Sequence, residues 1–306
     1  MKYVLAVIVI ILLCGCVGES GVKIICDESF KCPLEAIESN GMNVKKEMAQ
    51  SFSCITRAGE QDIVIVSDYN LITLLYPEKT NYYIKFAADS IVIAYSKSLN
   101  EKWYEMEDVK IGIMNPNTSA CGYQTLMVLK LAENYYGDDS ILYNFICKNT
   151  KIKDEETIIV PETLEVNENV TVETSFSDLI DDLEEVDCIF VYRSIAEEKN
   201  LKFLELPDQI NLGNARYRIM YNDVKVTLFG NVTIAGNPII YGLSLLSTKA
   251  EAIRLVEFIL SSRGKEILEE SGLIPLNLPL TDNINNVPHS LRDYLEEEGP
   301  AVSKPV

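Results

Sequence analysis

Three short polar segments carry the residue types that hold an anion. Asp27-Glu28-Ser29-Phe30 follows the apolar run VKIIC at 22–26. Gln50-Ser51-Phe52-Ser53 precedes a helical turn. Asn115 to Tyr123, reading NPNTSACGY, follows the run KIGIM and precedes a longer helical pattern. Backbone N–H groups at a helix start attract negative charge. Serine hydroxyls add neutral donors. One such junction occurs in every α/β protein; three behind an export leader point to capture of a small anion.

Residues for covalent or metal chemistry are scarce. The single histidine, His289, lies near the C-terminus, so a triad enzyme would depend on one imidazole. Beyond the leader the cysteines are Cys26, Cys32, Cys54, Cys121, Cys147 and Cys188, with no CxxC spacing. Cys26, Cys32 and Cys54 read as small buried hydrophobes or disulfide partners rather than as a soft-metal site. Arg193 follows a strand end and is expected to pair with a nearby acid. Tyr241 reads equally well as a hydrogen-bond donor into a cleft and as a core residue.

The elements that position these segments alternate. Apolar runs at 22–26, 63–66, 91–95, 110–114, 189–192 and 239–242 predict strands. Their unbroken aliphatic character fits parallel strands covered on both faces. A helix is predicted from Gly122 to Tyr136, stopped by Gly137. A second is predicted as one element from Thr248 to Glu270, capped by Ser247 or Thr248 and ended by Gly272. Strands alternating with helices give an α/β fold. Residues 151–174 read as a surface excursion, a hairpin among its possible forms. Asn169 and Asn231 begin glycosylation triplets.

The charge excludes some partners. The chain has 306 residues, 27 Lys+Arg against 46 Asp+Glu, and a formal net charge of −19. That excludes nucleic-acid binding by phosphate neutralisation and a polybasic grip on anionic lipid. At the N-terminus Lys2 precedes the apolar run Val4 to Leu13 and then Cys14-Gly15-Cys16. The run is too short to cross a bilayer as a stop-transfer helix and suits a secretory signal. Gly15-Cys16 resembles a lipobox. Residues 1–15 are therefore expected to be removed, with Cys16 lipidated and the protein tethered on the outer face of the cytoplasmic membrane.

The sequence resembles the archaeal molybdate/tungstate-binding proteins of ABC transporters. The carrying residues are Trp103-Tyr104-Glu105, Asp108 to Gln124, Asp187 to Ala196 (DCIFVYRSIA), Leu206 to Leu212, Pro238 to Gly242 and Val256-Glu257-Phe258. Ser67-Asp68-Tyr69 and Ile91 to Tyr95 also fit. The resemblance implies a two-lobed, type II periplasmic-binding-protein-like fold, with a ligand cleft between lobes joined by crossing strands. It places 22–95 plus 240–306 in the first lobe and 96–239 in the second. It implies a small oxyanion ligand, molybdate or tungstate among the candidates. It further implies a membrane permease partner, a monomer, no cofactor and no catalysis.

The resemblance also implies site residues. The family's metal-oxyanion site uses two serines and two carboxylates. Ser29 and Ser51 stand at the serine positions; Ser119 and Phe176 stand at the carboxylate positions. Asp178, the nearest acid to Phe176, is two residues off. The expected contact set is Ser29, Phe30, Ser51, Ser119, Ala120, Cys121, Phe176 and Tyr192, with Cys121 acting through its backbone N–H.

Asp27 and Glu28 depart from the family's small residues. A unit charge pair at about 5 Å and an effective dielectric near 20 costs roughly 3 kcal/mol. One serine hydrogen bond returns about 0.5–1.5 kcal/mol. Either the two acids point away, or Lys31 offsets them, or the ligand is not an oxyanion. A relative with a changed ligand (a metal ion or an organic solute) and an interaction protein that lost its ligand are the alternatives.

Overall fold

The computed structural model describes residues 21–299. The leader and Cys16 lie outside the described residues. Two sheets build two lobes. The first has seven strands in the order Glu296–Glu297, Ile274–Thr281, Ile84–Ala88, Ile240–Leu245, Ile63–Val66, Val22–Asp27 and Val44–Ala49. The second has five, in the order Lys202–Glu205, Ile91–Tyr95, Cys188–Tyr192, Ile111–Met114 and Val170–Glu173. A four-stranded ribbon lies beside it, and residues 153–159 form a hairpin within that ribbon.

The apolar runs are continuous because helices and 3-10 turns cover both faces of the first sheet. Ile24 and Cys26 point to a core with Phe30, Leu34 and Val256. Ile25, between them, points to the opposite core with Cys54, Val66 and Ile72. Side chains alternate across a strand, so VKIIC feeds two cores at once. The second lobe packs around Trp103, Tyr123, Leu126 and Phe190.

Three expectations need correction. The strand Ile91–Tyr95 is present, but it pairs antiparallel with Cys188–Tyr192 and Lys202–Glu205 in the second sheet. The crossing therefore falls at Asp89-Ser90, not after Tyr95. An aliphatic run carries no mark of which sheet it joins. The return crossing lies beside the first: the Asp89 N–H donates to Ile239 O at 3.1 Å. Nor are the sheets parallel throughout, since Ile240–Leu245 runs antiparallel to both of its neighbours. Finally, Thr248 to Glu270 is two helices, Ala250–Leu260 and Ser262–Glu270. Ser261 is extended between them, and its hydroxyl accepts from the Gly264 N–H at 3.2 Å. Lys249, rather than Ser247 or Thr248, stands at the first N-cap.

The helix Ala120–Tyr136 is central to the cleft. Its first turn is pressed onto the end of the preceding strand: a Cβ at Gly122 would lie 2.4 Å from Met114 O. Only glycine permits that approach. Gly137, at φ 72°, ends the helix in the left-handed region.

Candidate functional site

Each lobe presents three adjacent parallel strands with their C-terminal ends at the cleft, the usual place for a ligand in an α/β sheet. In the first lobe these are Val44–Ala49, Val22–Asp27 and Ile63–Val66. The residues just beyond them include Ser51, Ser29 and Ser67. In the second lobe they are Val170–Glu173, Ile111–Met114 and Cys188–Tyr192. Phe176 and Ala120 follow the first two, and Tyr192 closes the third.

The three serine hydroxyls converge on the carboxylate of Asp27, which is 1% exposed. Its Oδ1 accepts from the Ser29 N–H at 3.0 Å and from Ser29 Oγ at 2.6 Å. Its Oδ2 accepts from Ser51 Oγ and, at 3.1 Å, from Ser67 Oγ. All four donors are neutral. Behind them stands a second layer. Tyr241 donates to Ser29 Oγ at 2.7 Å. The Ala120 N–H, in the first turn of its helix, donates to Ser51 Oγ at 3.2 Å. The Tyr192 hydroxyl lies 3.1 Å from Ser67 Oγ and 2.8 Å from Gln124 Oε1, and its one proton serves either. Burial pushes the Tyr192 and Tyr241 phenols well up, so both stay protonated as donors.

The expected contact residues separate into two groups. Ser29, Ser51, Ala120 and Tyr192 come together around one point. The other four are buried and are not among the donors to the Asp27 carboxylate. Phe30 is fully buried and packs on Phe86 and Tyr241, with ring centroids 5.6 and 5.9 Å away. Phe176 packs on Tyr192 at 5.9 Å. Ser119 is buried at the N-cap of its helix, but its hydroxyl caps no N–H there. Cys121 is buried, and burial raises its thiol well above the usual value, which keeps it from acting as a thiolate ligand. Asp178 is exposed and accepts from Ser175 Oγ at 2.8 Å, and its charge helps raise the pKa of Glu28.

Asp27 does not point away, contrary to the first of the three possibilities. Glu28 is half-buried and accepts from Gln50 Nε2 at 2.8 Å. Burial is the main cause of its raised pKa, partly opposed by hydrogen bonds from the Phe176 backbone and Gln50. Lys31 is exposed at the surface. The expected contact set lacks Ser67, which donates to Asp27, and Gln124, whose Oε1 accepts from Tyr192. Ser67 had a signal: it directly follows a buried strand, as Asp27 does. Arg193 pairs with Glu197 and Glu205, both at 2.8 Å. The six described cysteines are free. Among the described residues no group of three His, Cys, Asp or Glu side chains is placed to hold a metal ion.

The lobes touch directly at this point. Tyr123 of the second lobe donates to Asp68 Oδ2 of the first at 2.7 Å. The Phe52 N–H donates to Thr118 O at 3.2 Å. The Tyr192 and Tyr241 rings meet across the cleft at 6.3 Å.

Residues 38–274 match the family model described as bacterial extracellular solute-binding protein. The chain belongs to this family. Among solute-binding relatives, an uncharacterized one from Staphylothermus marinus is 36% identical over 282 residues, covering 80% of each chain. The molybdate/tungstate-binding protein WtpA of Thermococcus kodakarensis is 35% identical over 266 residues, covering 80% of this chain and 74% of its own. The periplasmic molybdate-binding protein of Azotobacter vinelandii shares the fold, with a TM-score of 0.56 at 14% identity, covering 83% of this chain and 98% of that one. The solute-binding family gives the chain the substrate-binding role of an ABC importer. Among the described residues no helix is long and apolar enough to cross a membrane.

Proposed function

We propose that this solute-binding protein captures a small tetrahedral oxyanion of the molybdate and tungstate class between its lobes. One observation carries the reading: the hydroxyls of Ser29, Ser51 and Ser67 already converge on an oxyanion, the carboxylate of Asp27. Neutral donors hold such a group without a counter-charge, which leaves release to a permease uncomplicated by a salt bridge. The relative named for molybdate and tungstate supports the choice of anion.

Ser119 and Phe176 supply no carboxylate to a bound metal-oxyanion, so the anion stays four-coordinate, held by hydrogen bonds alone. X-ray absorption of the tungstate complex checks this; a six-coordinate metal contradicts it. The protein acts as a monomer without a cofactor, and carries out no catalysis. Lipid on Cys16 tethers it outside the membrane, where the closed form meets the permease. Ligand binding shifts an open–closed equilibrium between the lobes.

Thermal titration of the domain from Gly18 onward tests the reading. A solute at 100 times its dissociation constant adds about 2.7 kcal/mol of stability. Tungstate or molybdate is expected to raise the melting temperature, and the paired change Ser29→Ala with Ser51→Ala to abolish the rise. No rise with tungstate, molybdate, sulfate or phosphate, each taken to its solubility limit, overturns it.

A further inference from the structure

Asp27 fills the very point where a solute would sit. Its carboxylate takes the Ser29, Ser51 and Ser67 hydroxyls that the oxyanion reading assigns to the ligand. The lobes have closed around it: Ala120 of the second lobe reaches Ser51, Tyr192 reaches Ser67, and Tyr123 reaches Asp68. A second anion cannot share the position, because two unit negative charges a few ångströms apart repel strongly in a buried site.

We infer that Asp27 is the specificity-determining residue of the cleft, a tethered carboxylate that occupies the anion seat and admits an external oxyanion only by leaving it. The inference rests on the oxyanion reading. The tether makes the competition intramolecular, so the carboxylate acts at a high effective concentration at all times. Weakly bound anions lose that competition. A tetrahedral dianion offers four oxygens to the same donors where Asp27 offers two. The seat thus favours tetrahedral dianions over monoanions. Departure of Asp27 also breaks its bond from the Ser29 N–H, which caps the short turn Glu28–Phe30. Opening of the seat and loosening of that turn are therefore one event.

Calorimetric titration with tungstate tests this on the wild-type domain and on Asp27→Ala. The variant is expected to bind about 100-fold more tightly, the factor that corresponds to removing one close charge pair. Asp27→Asn keeps the shape of the side chain and an acceptor for the Ser29 N–H. It is expected to bind more tightly than wild type as well, and it decides the matter if the alanine variant does not fold. Small-angle scattering adds a second reading: wild type is compact without solute, whereas Asp27→Ala is expanded until tungstate is added. If wild type binds tungstate and neither variant binds it more tightly, Asp27 is no competitor and only this inference falls. If no form responds to tungstate, molybdate or sulfate, the oxyanion reading falls with it.

Discussion

Both lobes set the ends of three adjacent parallel strands against the cleft, yet they place different chemistry there. The first lobe supplies the hydroxyls of Ser29, Ser51 and Ser67 together with the carboxylate they hold. The second supplies a backbone N–H from Ala120, the phenols of Tyr123 and Tyr192, and the ring of Phe176. The first lobe holds an oxyanion with its own atoms. The second touches that seat only through its outer layer. One lobe is the receptor and the other is its cover, so damage to each should be separable.

A change in the receptor lobe should cost stability and solute binding together. Ser51 donates to Asp27, accepts from Ala120 and lies beside Ser67. Ser51→Ala leaves Asp27 Oδ2 with one donor, and a buried acceptor deprived of a partner costs about 1–3 kcal/mol. Urea unfolding should show that loss, and tungstate should no longer protect the variant.

The crossing between the lobes should respond to pH. Asp89 is buried there, accepting from the Ser90 N–H, the Ser194 N–H and the Ser194 hydroxyl. Burial, outweighing these bonds, raises its pKa to about 7 from an ordinary 3.8. Between those values the folded chain keeps a proton that the unfolded chain has shed. Stability from this group is present in full below the lower value and falls as pH rises through the window, becoming level above it. The fall is on the order of 4 kcal/mol at most. Asp89→Asn cannot titrate, and its amide can donate to Ser194 Oγ. The stability of wild type relative to that variant, from thermal unfolding at pH 4 to 8, should decline with pH; a constant difference would contradict this.

The cover lobe should show an effect of a different kind. Tyr123→Phe removes one bond to a carboxylate across the cleft, worth about 1.5–3 kcal/mol when the acceptor is charged. In the Asp27→Ala background, where tungstate is what closes the lobes, tungstate affinity should fall by tenfold or more on that scale, with the tetrahedral geometry of the bound anion unchanged. The smallest effect belongs to Arg193, which is paired to Glu197 and Glu205 on the surface. Arg193→Ala should alter stability by less than about 1 kcal/mol and leave tungstate affinity as it was. A loss of affinity would bring Arg193 into the site.

Local signals made much of this arrangement legible in the sequence. The run IVIV gives the strand Ile63–Val66, and Gly137 stops the helix that begins at Ala120. Ser29 and Ser51 are marked by their place between a strand end and a helical turn. What stayed hidden depends on partners distant in sequence. Ile91–Tyr95 reads the same whichever sheet it joins. The break at Ser261 is masked because both flanking helices bury apolar residues in one core, Val256 and Ile259 before it and Ile267 and Leu268 after it. In the sequence Asp27 reads as a charge opposed to an incoming anion, because nothing local marks the serines as surrounding it. Once Ser67, 40 residues away, is brought beside Ser29 and Ser51, the carboxylate has donors enough to be buried without a cation.

The most direct test of the account is the position of tungsten in crystals of the Asp27→Ala domain grown with tungstate. The account predicts one strong anomalous peak in the space vacated by the carboxylate, its oxygens within hydrogen-bonding reach of Ser29, Ser51 and Ser67 Oγ. A peak elsewhere in the molecule, or an empty seat beside those serines, would contradict it.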